Sequence, residues 1–327
     1  MSSFERPIGG DFFWSAEGIN RGTTISGRST IRLILRSIDL KNKTILLPNY
    51  LCGVIYHVVR DFDVKVHFYK IDENFEASLE SFSQENTVLY VIKYFGNTWD
   101  HIQWSIDHWT SDLIIDDVFG LGECPKHRTH PFYYFNSLRK ISPVVGLSLL
   151  MSNQQIDQSP KVDISEYVSK RTMAMELKFN FILESRGDEF SYVSCFEQAE
   201  REMNQSRDIG KEDATSIHQA IEFFARIETE RLIRKHNFDY AIELFPPTCN
   251  KKLKPIFPTF LPLFVCERDR VRAKLMENHI YLPVHWPNEC SLDNSLYEDL
   301  ISLPIDSRFS YDDYEAIHFL IRDYIKR

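Results

Sequence analysis

Lys140, in the string Phe135-Asn136-Ser137-Leu138-Arg139-Lys140, follows an acidic strand end, Ile114-Ile115-Asp116-Asp117, at a separation that suits one kind of cofactor. A lysine amine deprotonated in a dry pocket can condense with an aldehyde as a Schiff base. An aspartate facing a pyridine nitrogen keeps that nitrogen protonated. The pair therefore fits pyridoxal 5'-phosphate, whose protonated ring is an electron sink. A phosphate needs its own cradle, and Ile25-Ser26-Gly27-Arg28-Ser29-Thr30-Ile31 offers one. Ser26-Gly27 reads as a helix start, where free backbone N–H groups, a glycine and nearby hydroxyls receive an anion. An ordinary N-cap explains the same string.

These residues need a scaffold that brings them together. From Thr44 onward, short apolar runs alternate with helical-looking segments: Thr44 to Leu47, Leu51 to Arg60, Val64 to Tyr69, Thr87 to Lys93, Leu113 to Asp117, Phe132 to Phe135 and Gly146 to Met151. Crossovers of this length imply an α/β fold, a mostly parallel sheet flanked by helices, and ligands collect at the carboxyl ends of such strands. From Val162 to about Phe245 the chain turns charged, with helical apolar spacing at Ile217, Ile221, Phe224, Ile227 and Leu232. Turn residues gather at Phe245-Pro246-Pro247-Thr248, which places a junction between a large domain, 1–247, and a small α+β domain, 248–327. In the latter, Phe260 to Cys266, Arg268 to Asn278 and Tyr281 to Trp286 read as strand, helix and strand, followed by two helical segments.

Composition narrows the partners. With 327 residues, 43% of them apolar, the chain is long enough for a large core, and a net charge of -9 without a basic run argues against a nucleic-acid surface. No run approaches the ~18 apolar residues of a membrane span, and Met1 to Pro7 lacks the apolar core of a secretory signal. A cytoplasmic protein with no membrane partner is expected. The six cysteines show no CxxC pair, so disulfides are not expected. Cys124, His127 and His130 recur at every third position, but without a fourth ligand nearby they read as a polar loop, and no metal is expected.

In order, Gly27-Arg28-Ser29, Pro48-Asn49-Tyr50, Tyr94-Phe95-Gly96, Asp116-Asp117 and Ser137-Leu138-Arg139-Lys140 resemble the DegT/StrS type of sugar-nucleotide aminotransferase, a fold type I pyridoxal-phosphate family. Arg268-Asp269, His285-Trp286 and Leu303-Pro304-Ile305 with Tyr311 resemble its small domain; the likeness is thinnest from about Ser159 to Pro247. The resemblance implies that Lys140 anchors the cofactor and carries the proton of the donor amino acid. It implies Asp117 as partner of the pyridinium nitrogen, with Asp116 as the fallback, because strand residues alternate faces. Gly27, Arg28 and Ser29, helped by Asn136 or Ser137, would hold the phosphate. The ring-stacking aromatic of the family aligns with Cys52, which leaves Tyr50 as the nearest candidate, a core tyrosine at a strand-to-helix turn being the equal alternative, and Gly120 stands where a glutamine or histidine would reach the phenolic oxygen. His285 resembles the histidine of the strand bordering the substrate entrance; a lone histidine among apolar residues reads first as a packed structural group, with a substrate contact as the alternative.

The implied activity is a homodimeric transaminase moving an amino group, with glutamate as the expected donor, onto a nucleotide-linked keto-sugar for surface polysaccharide or related glycan synthesis. Elimination or dehydration on the sugar, or a non-catalytic binding subunit, are the alternatives. Lys140 argues against the first, since relatives that do this tend to carry histidine there.

Overall fold

The computed structural model describes residues 18–159, 161–245 and 252–326. The string Met1 to Pro7, and Pro246, Pro247, Thr248 and Cys249 at and beside the expected junction, lie outside the described residues. The first half comprises β1 (Asn20–Thr24), α1 (Gly27–Ser37), β2 (Thr44–Pro48), α2 (Gly53–Arg60), β3 (Lys65–Tyr69), β4 (Thr87–Ile92), α3 (Asp100–His108), β5 (Leu113–Asp116), β6 (Phe132–Phe135) and β7 (Ser148–Ser152). Then come the helices α4 (Ser165–Glu184), α5 (Glu189–Gln205), α6 (Ala214–Ala225) and α7 (Ile227–Leu244). The chain continues through β8 (Phe260–Phe264), α8 (Arg268–Glu277), α9 (Leu296–Asp299), β9 (Leu300–Pro304) and α10 (Tyr311–Ile321).

The large sheet has seven strands in the order β1-β7-β6-β5-β4-β2-β3. Strands β2 to β6 run parallel, while β7 runs against both β6 and β1. Every residue of β4, β5 and β6 is buried, which is why these segments are apolar almost without alternation: helices cover both faces of the sheet. Helix α1 starts as the string around Ser26 suggests. The Ser26 hydroxyl accepts the Ser29 N–H at 3.3 Å, and Ile31 to Leu35 are buried.

The helical stretch after Val162 is present as α4 to α7, but the carboxyl-terminal part differs from the expectation. Tyr281 to Trp286 forms no strand; β9 takes that place and pairs antiparallel with β8, Leu263 opposite Ile301. The Pro283 carbonyl accepts the Ser302 N–H at 3.0 Å, but Pro283 has no N–H to return a second bond to β9. One apolar core joins the two sheets, running from Leu89, Ile114 and Phe135 to Leu261, Leu303 and Ile317. A smaller cluster of Ile25, Tyr167, Ala199 and Met203 fastens α4 and α5 to the start of α1.

Candidate active site

Strands β5 and β6 are parallel neighbours with Asp116 opposite Phe135, so the loops after them emerge at the same sheet edge. The loop after β6 carries Asn136 and Ser137 into a 3-10 turn, Leu138–Lys140, that ends on the lysine. The start of α1 reaches the same edge. A Cβ placed on Gly27 would stand 3.6 Å from the Phe135 ring, 3.6 Å from Val118 Cγ1 and 3.8 Å from Ser137 Cβ. Its N–H and that of Arg28 precede the first helical bond, from Thr30 N to Ser26 O, and are the groups a helix start offers to an anion.

Burial pushes the Lys140 amine down to about 8, and the adjacent Arg139 cation lowers it further, against the opposing pull of Cys52 and Glu200. Asp116 lies in the field of this lysine. Its carboxyl is raised to about 7 by burial, although Tyr90 OH donates to Oδ2 at 2.6 Å, Val118 N donates to Oδ1 at 3.0 Å, and the charge of Lys140 acts to lower it.

Asp117 is on the other face. Lys93 Nζ at 3.3 Å, Tyr134 OH at 2.6 Å and Gly122 N at 2.8 Å all reach its Oδ2, and both members of the ion pair are buried. The pleat puts the second aspartate with Lys93, its Oδ1 buried without a hydrogen-bond partner, and puts the first, both oxygens bonded, in the field of Lys140. Gly120 has a local reason, since a Cβ there would lie 2.3 Å from Asp117 Oδ1. A glutamine or histidine cannot occupy that position beside the carboxylate.

Several other expectations shift. Tyr50 is fully buried, packed against Tyr94, Trp286 and Tyr297, and its hydroxyl donates to the His285 carbonyl. It is a fully buried core residue. Cys52, at the start of α2, is the residue whose thiol lies in the field of Lys140; burial raises that thiol while the lysine opposes. Arg28 donates to Asn204 Oδ1 and, at 3.0 Å, to Glu200 Oε2, so its guanidinium is engaged by α5. The Ser29 hydroxyl accepts Gly210 N at 3.2 Å, and the Asn136 side-chain oxygen accepts Leu149 N at 3.4 Å. Ser137 is buried beside Gly27 and does not cap its turn.

His285 sits between Phe119 and Phe260, each ring 4.7 Å away, with Nδ1 2.9 Å from Ser302 Oγ. Burial, and secondarily Lys140, lower its pKa to about 3, so the imidazole is neutral and packed. Lys93, Arg171 and Glu200 were not singled out by sequence reasoning. Charged residues in helices or at strand ends are usually solvated, and no spacing distinguishes these. Cys124, His127 and His130 line a separate cavity of about 930 Å³ with Lys93, Gly122 and Tyr134, on the Asp117 side. Among the described residues no group of three His, Cys, Asp or Glu side chains could hold a metal ion, and no helix is long and apolar enough to cross a membrane.

The fold has counterparts among solved structures, several of them sugar aminotransferases and one a DegT/DnrJ/EryC1/StrS aminotransferase, and this chain shares their overall architecture. The first of three similar solved structures is an aminotransferase of that kind from Brucella abortus: TM-score 0.60, 14% identity, 93% of this chain and 85% of that one covered. The second is a putative sugar aminotransferase from Streptococcus pneumoniae in its PLP form: TM-score 0.61, 13% identity, 92% and 86% covered. The third is DesI in the presence of its TDP-sugar product: TM-score 0.61, 11% identity, 92% and 79% covered. No family model matches the chain, and no curated protein sequence matches it significantly.

Proposed function

We propose that this protein is a pyridoxal-phosphate-dependent aminotransferase that transfers an amino group from glutamate to a nucleotide-linked keto-sugar, acting as a cytoplasmic homodimer with a large cofactor domain and a small carboxyl-terminal one. The observation that carries the reading is Lys140: a lysine held to a pKa of about 8, at the carboxyl edge of a parallel sheet, in one pocket with Asp116 and beside a helix start. The residues fit the cofactor. Gly27 leaves the mouth of α1 open, Ser137 adds a hydroxyl beside it, and Asp116 is a buried acid poised to ionise near neutral pH, as a partner of a ring N–H must.

When bound, pyridoxal phosphate supplies an aldehyde for the amine and an electron sink for the donor's α-carbon. Lys140, with its pKa near 8, is neutral often enough to attack a carbonyl carbon and to take and return a proton. The Asp116 carboxylate, oriented by Tyr90 and the Val118 N–H, holds a proton on the group it faces. Cys52, whose thiol lies in the field of Lys140, would offer the ring a small side chain where the family has a stacking aromatic. The likeness to a sugar aminotransferase and to DesI with its TDP-sugar product supports the substrate class. The polysaccharide pathway is the biological setting we attach to it.

The test is the visible absorbance spectrum of the purified protein with added pyridoxal phosphate, before and after Lys140→Ala. A band near that of a lysine-bound cofactor, absent in the variant, is expected. Glutamate should then bleach the band with release of 2-oxoglutarate. A protein that shows no band refutes the enzyme reading, and a band that glutamate leaves unchanged refutes the donor.

A further inference from the structure

One face of α5, formed by Ala199, Glu200, Met203 and Asn204, lies on the start of α1. Met203 Sδ accepts from Ser26 Oγ at 3.7 Å, and Asn204 and Glu200 take the two ends of the Arg28 guanidinium. The same Glu200 carboxylate accepts Arg139 Nη1 at 3.0 Å and stands 3.7 Å from Arg171 Nη1, so three cations from three elements converge on one acid. Two of them flank the candidate site directly: Arg28 follows Gly27, and Arg139 precedes Lys140. All three guanidinium groups are largely buried, their side chains 6%, 14% and 15% exposed. Such a cluster without its acid would be a repulsive knot of positive charge beside a lysine that must shed a proton.

We infer that Glu200 is a positioning residue of the Lys140 pocket: by bridging Arg28, Arg139 and Arg171 it fixes their guanidinium groups and offsets their charge on the lysine. The charged and titratable groups facing Lys140 are Arg139 on its own turn, Cys52 on α2, Asp116 on β5, Arg171 on α4, Glu200 on α5 and His285 before β9. The neutral His285 adds no charge. Glu200 itself is held ionised, its pKa about 2, because the arginines, Arg139 first, outweigh its burial. With α5 locked this way, the segment least like the aminotransferase family contributes an acid to the site.

The role of Glu200 bears on the proposed function through its consequence for Lys140, but its test does not require the cofactor to bind. In the purified full chain freed of cofactor, the pH dependence of Lys140 modification by an amine-reactive reagent, read by peptide mass, reports the lysine's midpoint. Glu200→Gln removes the acid and should lower that midpoint by on the order of half a pH unit, about a threefold gain in neutral amine near pH 7. Glu200→Asp should restore most of it. Arg171→Gln, which keeps the Arg28 and Arg139 contacts, should move the midpoint up and serves if Glu200→Gln does not fold. Inorganic phosphate should bind the Glu200→Gln protein more tightly, since two buried guanidinium groups are released toward the α1 start. A midpoint that stays put or rises in folded Glu200→Gln, or that fails to rise in Arg171→Gln, would overturn the inference.

Discussion

Asp116 and Asp117 are consecutive in the chain, yet their carboxylates serve opposite faces of the sheet: Tyr90 OH donates to the first at 2.6 Å, and Tyr134 OH donates to the second at 2.6 Å with Lys93 Nζ 3.3 Å away. Register explains it. Tyr90 lies opposite Ile114 and Tyr134 opposite Ile115, so each tyrosine projects on the face of the aspartate two residues further on. One acid is thereby committed to an ion pair, and the other is left to the pocket of Lys140.

This division predicts different losses from neighbouring substitutions. Asp116→Asn should abolish pyridoxal phosphate retention, measured by equilibrium titration, while the cofactor-free protein tolerates it. The sign follows from the raised carboxyl: a group with a folded pKa of about 7, above its ordinary 3.8, costs stability once pH rises through that window. Above pH 7 the cofactor-free asparagine variant should therefore resist urea as well as the parent or better. Asp117→Asn should instead cost roughly 3–5 kcal/mol in urea unfolding, because Lys93 is left as a buried, unpaired cation.

Gly120 and Gly122 wrap the same ion pair, and a side chain at either would displace it. An added Cβ would lie 2.3 Å from Asp117 Oδ1 at the first position and 2.2 Å from Lys93 Nζ at the second. Gly120→Ala should lower stability by on the order of 1–3 kcal/mol, seen as a reduced thermal midpoint. A midpoint equal to the parent's would mean that the Lys93–Asp117 pair is not packed as described.

Lys140 makes the stability of the cofactor-free protein depend on pH in a direction that can be checked. Its folded pKa, about 8, lies below the ordinary 10.5, so between these values the unfolded chain binds more protons and stability rises with pH. Lys140→Met removes the effect. The variant should exceed the parent in urea resistance below pH 8, and the gap should narrow toward pH 10. A gap independent of pH would contradict the lowered Lys140 amine.

Much of this arrangement was legible in the chain because it rests on local patterns. The buried strands showed as apolar runs from Thr87 and from Leu113, the α1 start as Ser26-Gly27, and the lysine as a residue just past Phe135. What was hidden depends on pairing at long range. Whether Asp116 or Asp117 faces the lysine is a matter of pleat phase, which no count along the strand decides. Tyr50 looked like a ring-stacking aromatic, but its neighbours Trp286 and Tyr297 arrive from more than 200 residues away. The extended run from Tyr281 to Trp286 had strand composition, but it meets β9 through the Pro283 carbonyl, and Leu300–Pro304 takes the place beside β8. Glu200 looked like any helix-surface glutamate until α5 was laid against α1.

The proposed role of Lys140 as the cofactor's anchor is central. The most direct measurement is to load the protein with pyridoxal phosphate, reduce it with borohydride and locate the pyridoxyl group by peptide mass. A single stoichiometric label on Lys140 is predicted; label on another lysine such as Lys93, or none, would contradict it.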